Sequence, residues 1–222
     1  FFNLVLILER NTIIMTKKTK LLRDVSKDYI TNETLEEVET IVQNTNNYGI
    51  EDKMIASCFT KYPNNFDKDL VLMKICIIDI TNSTNLILQK RRISINELSK
   101  IIASIPNIDE RIAVGDPEVV NEIARANGKI NLFSFATKYC CYHNINIYGR
   151  DDYSIFDSVL AKYLPQYFDD ITENQIQKWR KSFDYKSYND YITNKIDELN
   201  ITVENRKRKF DHFVWYKNRQ RS

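Results

Sequence analysis

Residues 130–164 read INLFSFATKYCCYHNINIYGRDDYSIFDSVLAKYL, and this stretch decides the expected fold. We interpret residues 132–138 (LFSFATK) as a short turn that feeds an apolar helix, and residues 154–164 (SIFDSVLAKYL) as the start of a second helix. Lys138 and Asp157 would then lie on neighbouring helices, because the loop between them returns the chain to about the same level. The stretch therefore predicts a helix pair on which these two side chains can meet.

The residues around this pair also have simpler interpretations. Ser154 is the expected N-cap of the second helix, which puts Asp157 in the first turn, where the helix dipole stabilises a carboxylate. His143 and Asn144 are expected in the loop between the helices, as hydrogen-bonding residues rather than ligands. Lys138 alone would be read as a surface lysine of an amphipathic helix. Only the two residues together, at this spacing, favour a chemical role.

Helical patterns continue on both sides of the stretch. Thr34, Ser94 and Asp116 are expected N-caps, with Glu97 completing a capping box at Ser94 and Pro117 at the first helical position after Asp116. The predicted helices cover residues 34–44, 69–89 with a break near 81–84, 93–105, 117–126, 172–181, 185–199 and 204–217.

The composition supports the same fold class. The chain has 222 residues, of which 43% are hydrophobic, and it contains only 4 Gly and 4 Pro. So few turn residues argue against a β-sandwich, a Gly-rich nucleotide-binding fold and low-complexity disorder. Helices joined by short loops predict an all-α, orthogonal multi-helix assembly.

The chain length fits one folded unit. We expect residues 15–222 to form a single helical unit, in which residues 15–95 and 96–222 are two subdomains flanking a cleft. Residues 1–14 are consistent with an upstream extension of the reading frame, because Met15 precedes the polar segment TKKTK. Their apolar part, FFNLVLIL at residues 1–8, is far shorter than the roughly 20 residues of a membrane-spanning helix, so no membrane association is expected.

The cysteines and histidines argue against a metal site. No CxxC pair is present, and only two histidines could complete a ligand set. We therefore expect no metal, no cofactor and ordinary reduced thiols in a cytoplasmic protein.

The C-terminal helix is the basic part of a chain whose formal net charge is only +2. One acidic residue, Asp211, stands among seven basic ones, with four aromatic side chains interleaved. This pattern suits contact with nucleic acid phosphates and stacking on bases. A helix docked through its aromatic residues, with solvated charges, explains the same composition. The basic residues are Arg206, Lys207, Arg208, Lys209, Lys217, Arg219 and Arg221; the aromatic ones are Phe210, Phe213, Trp215 and Tyr216.

Residues 132–138 and 154–157 resemble the helix-hairpin-helix (HhH-GPD) superfamily of DNA glycosylases. In that superfamily the hairpin reads Leu-Pro-Gly-Val-Gly-x-Lys and is followed by a Val-Pro-Val-Asp segment. Lys138 and Asp157 match the lysine and the aspartate, and their 19-residue separation resembles the lysine-bearing 8-oxoguanine glycosylase/lyase branch. The sequence departs from the pattern at Phe133, Ser134 and Ala136, which replace the proline and both glycines.

The resemblance implies a DNA-glycosylase-like fold with a degenerate helix-hairpin-helix, and a monomer that acts on double-stranded DNA carrying a damaged or modified base. Lys138 would attack the sugar and form a Schiff base, and Asp157 would stabilise the positive charge that develops there. The hairpin residues Ser134, Ala136 and Thr137, together with Arg206, Lys207, Arg208 and Lys209, would contact DNA. His212, Phe213 and Trp215 would form the base pocket.

Two other functions are compatible with the sequence. A catalytically inactive DNA-binding module on the same scaffold would account for the replaced glycines. A small helical interaction protein, for example one acting in phage defence, would need no nucleic acid at all.

Overall fold

The computed structural model describes residues 26–45, 48–82, 84, 86, 94–126 and 128–219. Within these residues it contains eleven α-helices, one short 3₁₀ helix at Lys27–Tyr29 and no strand, which confirms the all-α prediction. The helices are α1 (Asn32–Gln43), α2 (Tyr48–Lys61), α3 (Lys68–Asn82), α4 (Ile95–Ala103), α5 (Ile108–Ala113), α6 (Pro117–Arg125), α7 (Phe133–Tyr148), α8 (Ser158–Tyr167), α9 (Glu173–Ser182), α10 (Tyr185–Glu198) and α11 (Arg206–Arg219).

Helix α7 is the centre of the fold. Apart from Ser134, its first twelve residues are all buried, so the helix has no solvent-facing side over that length. A helix that is covered on all sides must be surrounded by others, and α2, α3, α5 and α6 pack against it. The helix ends at Gly149, whose φ of 61° is a left-handed conformation that glycine adopts without steric cost.

A second group of contacts joins the two ends of the chain. Helix α11 packs against α1, α8 and α10. Asn32 at the start of α1 accepts a hydrogen bond from the backbone N–H of Thr202, just before α11. The C-terminal helix is therefore part of the core, with Phe210, Phe213 and Val214 buried in it.

The predicted caps are largely correct. The Ser94 side chain accepts from the Glu97 N–H, and the Asp116 side chain accepts from the Glu118 N–H next to Pro117. Helix α1 begins one turn earlier than predicted. Its N-cap is Thr31, which forms a capping box with Thr34, so Thr34 is the third helical residue rather than the cap.

The turn predicted at residues 132–138 is wrong. These residues form the first turns of α7, because Phe133, Phe135 and Ala136 are all buried against neighbouring helices. The structure does contain two packed helices joined by a short connection, but these are α6 and α7. Their connection, residues 126–132, comes before the predicted hairpin, and its residue 127 is outside the described part. The predicted hairpin residues therefore belong to a helix.

The second helix of the pair also begins later than predicted. Asp157 itself is the N-cap of α8, whereas Ser154 lies in the extended segment before it. His143 and Asn144 are inside α7 and buried, so their assignment to a loop is wrong. Their polar groups are satisfied within the protein, with Asn144 donating to the Ile112 carbonyl.

The structure does not test two of the predictions about domain organisation. Residues 1–14 are not among the described residues, and the division into subdomains at residue 95 stays a prediction. Among the helices that the structure describes, none has the length and apolar character needed to cross a bilayer.

Candidate active site

A cavity of about 810 Å³ opens beside the N-terminal half of α7. Its walls come from α2, α3, α7, α8, α9 and α11 and from the connection that precedes α7. Lys138 of α7, Asp157 at the start of α8 and Asp211 of α11 all line it. The two residues that sequence reasoning paired therefore share one cavity with a third ionisable residue that it did not select.

The segment between α7 and α8 holds Asp157 next to α7. The Thr137 hydroxyl of α7 accepts a hydrogen bond from the Phe156 N–H at 3.0 Å. Tyr188 of α10 donates to the Ile155 carbonyl at 2.6 Å from the other side. Thr137 is the residue before Lys138, and Phe156 is the residue before Asp157. The hydrogen bond between Thr137 and Phe156 therefore brings the side chains of Lys138 and Asp157 to the same wall of the cavity.

Lys138 is buried without a partner. Only 8% of its surface is exposed, and its ammonium makes no hydrogen bond or ion pair with any described residue. Burial lowers the pKa of this ammonium, an effect that the negative charges of Asp157 and Asp211 partly offset and that Arg208 reinforces. A lysine in such surroundings is a candidate nucleophile, because more of it is present as the neutral amine.

Asp211 is a buried carboxyl with one unused oxygen. Its Oδ2 accepts from Arg208 Nη1 at 2.8 Å, whereas its Oδ1 is buried and has no hydrogen-bond partner among the residues that the structure describes. Burial and the nearby Asp157 carboxylate raise the pKa of Asp211 to about 7, although Arg208 and Lys138 act in the opposite direction.

Arg208 connects the cavity to the core. Besides Asp211, its guanidinium donates to the hydroxyls of Tyr48 at 3.0 Å and Tyr142 at 3.3 Å, and it forms an ion pair with Asp52 at 3.3 Å. The Tyr142 hydroxyl in turn donates to Asn82 Oδ1 at 2.7 Å, and Asn82 lines the cavity. The guanidinium thus fixes the wall that carries Asp211.

The predicted hairpin contacts with DNA do not fit the structure, apart from that of Ser134. Ala136 and Thr137 are fully buried, and the Thr137 hydroxyl is used within the protein. A nucleic acid has no access to either residue. Ser134 is half-buried and lines the cavity, so its contact with a substrate stays a prediction.

The basic run at residues 206–209 does not form a free cationic face. Lys207 and Arg208 are buried; the Lys207 ammonium donates to the Asp152 carbonyl at 2.8 Å. Arg206 is ion-paired with Asp197, and Lys209 is ion-paired with Glu36 at 2.6 Å. These charges join α11 to its neighbours, so the prediction that the four residues contact DNA is not supported.

Of the three residues predicted for the base pocket, only Trp215 lines the cavity. Phe213 is buried in the core and His212 is buried between Tyr48 and Glu39, with its ring 5.3 Å from that of Tyr48. Trp215 packs against the Tyr48 ring at a centroid distance of 4.8 Å, and both residues line the cavity. This aromatic pair is the part of the wall suited to stacking on a planar group.

Sequence reasoning missed Asp211, Tyr48 and Asn82. Asp211 had a signal, since it is the single acidic residue in a basic and aromatic helix, but that helix was interpreted only through its positive charges.

Among the described residues, no group of three or more histidine, cysteine or acidic side chains is arranged to hold a metal ion.

Comparison with known proteins identifies a family without naming an activity. A Haemophilus influenzae protein, described as uncharacterized, is 29% identical over 119 residues, which are 52% of this chain and 56% of the relative, so the chain spans about half the length of the curated relative it matches. No solved structure matches the chain. Residues 16–151 match the family HI_0787_N, described as an N-terminal domain, and this range contains Lys138 but neither Asp157 nor Asp211. Because the match spans more than half of the chain, the chain belongs to the HI_0787_N family.

Proposed function

We propose that the chain is a DNA glycosylase with abasic-site lyase activity, which acts as a cytoplasmic monomer on duplex DNA containing a damaged or modified base. The observation that carries this proposal is the Lys138 side chain, which is buried, lines the same cavity as Asp157 and makes no hydrogen bond within the described part of the chain. Free thiols at all four cysteines fit a reducing compartment.

The two side chains have complementary roles in the proposed reaction. The neutral amine of Lys138 forms a bond to C1′ of the deoxyribose, and the bond from C1′ to the base breaks. The bonding electron pair leaves with the base, which then takes up a proton. The Asp157 carboxylate stabilises the positive charge that the sugar develops during this exchange. Opening of the sugar ring gives a Schiff base, from which loss of a C2′ proton expels the 3′ phosphate.

The cavity suits a nucleotide that has left the base stack. A volume of about 810 Å³ is within the usual range for sites that enclose a small organic group. The Tyr48 and Trp215 rings offer a stacking surface, and the amide side chain of Gln177 offers a hydrogen bond to the edge of a base. An oxidised guanine is the substrate that the family resemblance favours.

A strand-cleavage assay tests this function directly. Duplexes that each carry one damaged or modified base are incubated with the wild type, with Lys138→Gln and with Lys162→Gln. Lys162 is an exposed lysine of α8 and serves as the matched control. We expect cleavage at one class of modified base with the wild type and the control, and none with Lys138→Gln. Binding without base release would indicate the inactive module, and no binding or release on the whole panel would contradict the proposal.

A further inference from the structure

We propose that Asp211 accepts the proton that the Lys138 ammonium must lose before its nitrogen can attack the sugar. This inference rests on the glycosylase function proposed above and adds a third residue to its site. It starts from two residues that line one cavity, Lys138 and Asp211. Within the described residues the Lys138 ammonium makes no hydrogen bond, and the buried Asp211 Oδ1 atom has no hydrogen-bond partner.

The geometry separates the roles of the two carboxylates near Lys138. Asp157 Oδ1 accepts the Leu160 N–H at 2.7 Å and so caps α8. Asp211 is oriented through Oδ2 by Arg208, and its Oδ1 has no competing hydrogen-bond donor. Within the described residues Asp157 Oδ2 also makes no hydrogen bond, but Asp157 is half-buried, whereas Asp211 Oδ1 is buried. Water therefore does little to stabilise the charge on Asp211, and Asp211 is the carboxylate that gains more from taking up a proton.

Burial favours the transfer. Moving a proton from the ammonium to the carboxylate replaces two buried charges by two neutral groups, which reduces the cost of keeping them out of water. The lowered pKa of Lys138 and the pKa of about 7 at Asp211 bring the two proton affinities closer together. Matched affinities are the condition under which proton transfer assists catalysis most.

Arg208 keeps a negative partner when Asp211 becomes neutral. Its ion pair with Asp52 and its hydrogen bond to the Tyr48 hydroxyl do not involve Asp211. The neutral Asp211 carboxyl therefore does not leave an isolated buried cation. The ionisable groups that act on Lys138 or line its cavity are Asp157, Asp211, Arg208, Tyr48, Glu51, Lys129 and Arg180.

The step conserves protons and charge. Lys138 –NH₃⁺ and Asp211 –COO⁻ become –NH₂ and –COOH, and the lone pair that is freed on nitrogen forms the bond to C1′. The two groups are not hydrogen-bonded to each other and the Asp211 Oδ1 atom is buried, so the lysine side chain rotates toward this oxygen before the proton passes.

The first experiment measures the rate at which borohydride traps the enzyme on duplex DNA with one abasic site. Wild type, Asp211→Asn and the control Asp190→Asn, which changes an exposed carboxylate of α10, are compared from pH 5.5 to 9.5. If Asp211 acted only through its charge, its removal would make Lys138 more often neutral and trapping faster. The proposed role predicts the opposite: at least about tenfold slower trapping at pH 7. Equal or faster trapping by Asp211→Asn overturns it.

The second experiment does not depend on DNA. Trace acetylation with acetic anhydride, followed by mass spectrometry of the Lys138 peptide, gives the pH at which this amine becomes reactive. Loss of the Asp211 charge should lower that midpoint, and an unchanged midpoint would overturn the coupling. A wild type that is never trapped on abasic DNA contradicts the proposed function itself, whereas a trapped wild type with an unaffected Asp211→Asn contradicts only the role of Asp211.

If Asp211→Asn does not fold, the pH dependence of the trapping rate of the wild type tests the role of Asp211. A trapping rate that levels off above a midpoint near pH 7 supports proton transfer to Asp211. A rate that keeps rising tenfold per pH unit up to pH 9 overturns it, because the proton would then go to solvent.

Discussion

Lys138 of α7 and Lys74 of α3 are both buried, and burial lowers the pKa of each ammonium, yet their surroundings differ. Lys74 donates to the Asn64 carbonyl and to Asn65 Oδ1, both at 2.9 Å, and lies over the Phe59 ring at 5.2 Å. It is closed off in the core, whereas Lys138 faces an open cavity and makes no hydrogen bond to any part of the chain that the structure describes. A buried charge that is held by hydrogen bonds supports the fold, and one left without them at a cavity is available to a substrate.

The largest expected effect is at the carboxylate beside Lys138. Asp157→Asn should reduce the rate of base release by about 100-fold or more, because the charge that stabilises the sugar cation is lost. The fold should survive, since asparagine caps helices as well as aspartate does and can still accept the Leu160 N–H. Single-turnover base release measures the effect, and a gel shift checks that DNA affinity stays near the wild-type level. Release at nearly the wild-type rate would remove Asp157 from the site.

The stabilities of two variants test whether Lys74 and Lys138 differ in their contribution to the fold. Lys74→Met should lower the free energy of unfolding by about 3 kcal/mol, because Asn65 Oδ1 and the Asn64 carbonyl lose a charged donor in the core. Lys138→Met should leave it unchanged or raise it by about 1 kcal/mol, since it removes a buried amine without a partner. Urea denaturation of both variants measures the difference. The opposite order of stability would mean that Lys138 is the structural lysine.

The pH dependence of stability tests the surroundings of Lys74. Its pKa is lowered to about 8 from 10.5, so between these pH values the folded state has released a proton that the unfolded state keeps. Stability therefore rises with pH in this window, by at most about 3 kcal/mol. Below about pH 8 both states are protonated and the trend ends. The rise is measured as the difference between wild type and Lys74→Met, and no difference would mean that Lys74 titrates as in the unfolded chain.

Much of the fold was predictable because its signals are local. The caps at Ser94 and Asp116 and the break after Asn82 depend on residues adjacent in sequence, and they are correct. The turn at residues 132–138, which the family resemblance placed in a hairpin, was wrong because burial of Phe133 and Phe135 by distant helices keeps the segment helical.

The site was predictable only where the distance in sequence between two residues reflects a contact between them in the structure. The interval between Lys138 and Asp157 corresponds to the Thr137–Phe156 hydrogen bond, which spans the same 19 residues. The inward orientation of residues 206–209 had no such signal. The acidic residues that pair with Arg208 and Lys209 from α1 and α2 are more than 150 positions away, so a run of positive charge looked like a solvated surface.

Covalent trapping shows which lysine attacks the sugar. The wild type is incubated with a duplex that contains the cleaved modified base or an abasic site, borohydride reduces the Schiff base, and the modified peptide is sequenced by mass spectrometry. We expect the DNA remnant on Lys138, complete loss of trapping in Lys138→Met, and retained trapping in folded Lys74→Met. A cross-link on any other lysine, or undiminished trapping in Lys138→Met, would contradict the assignment of the cavity lysine as the nucleophile.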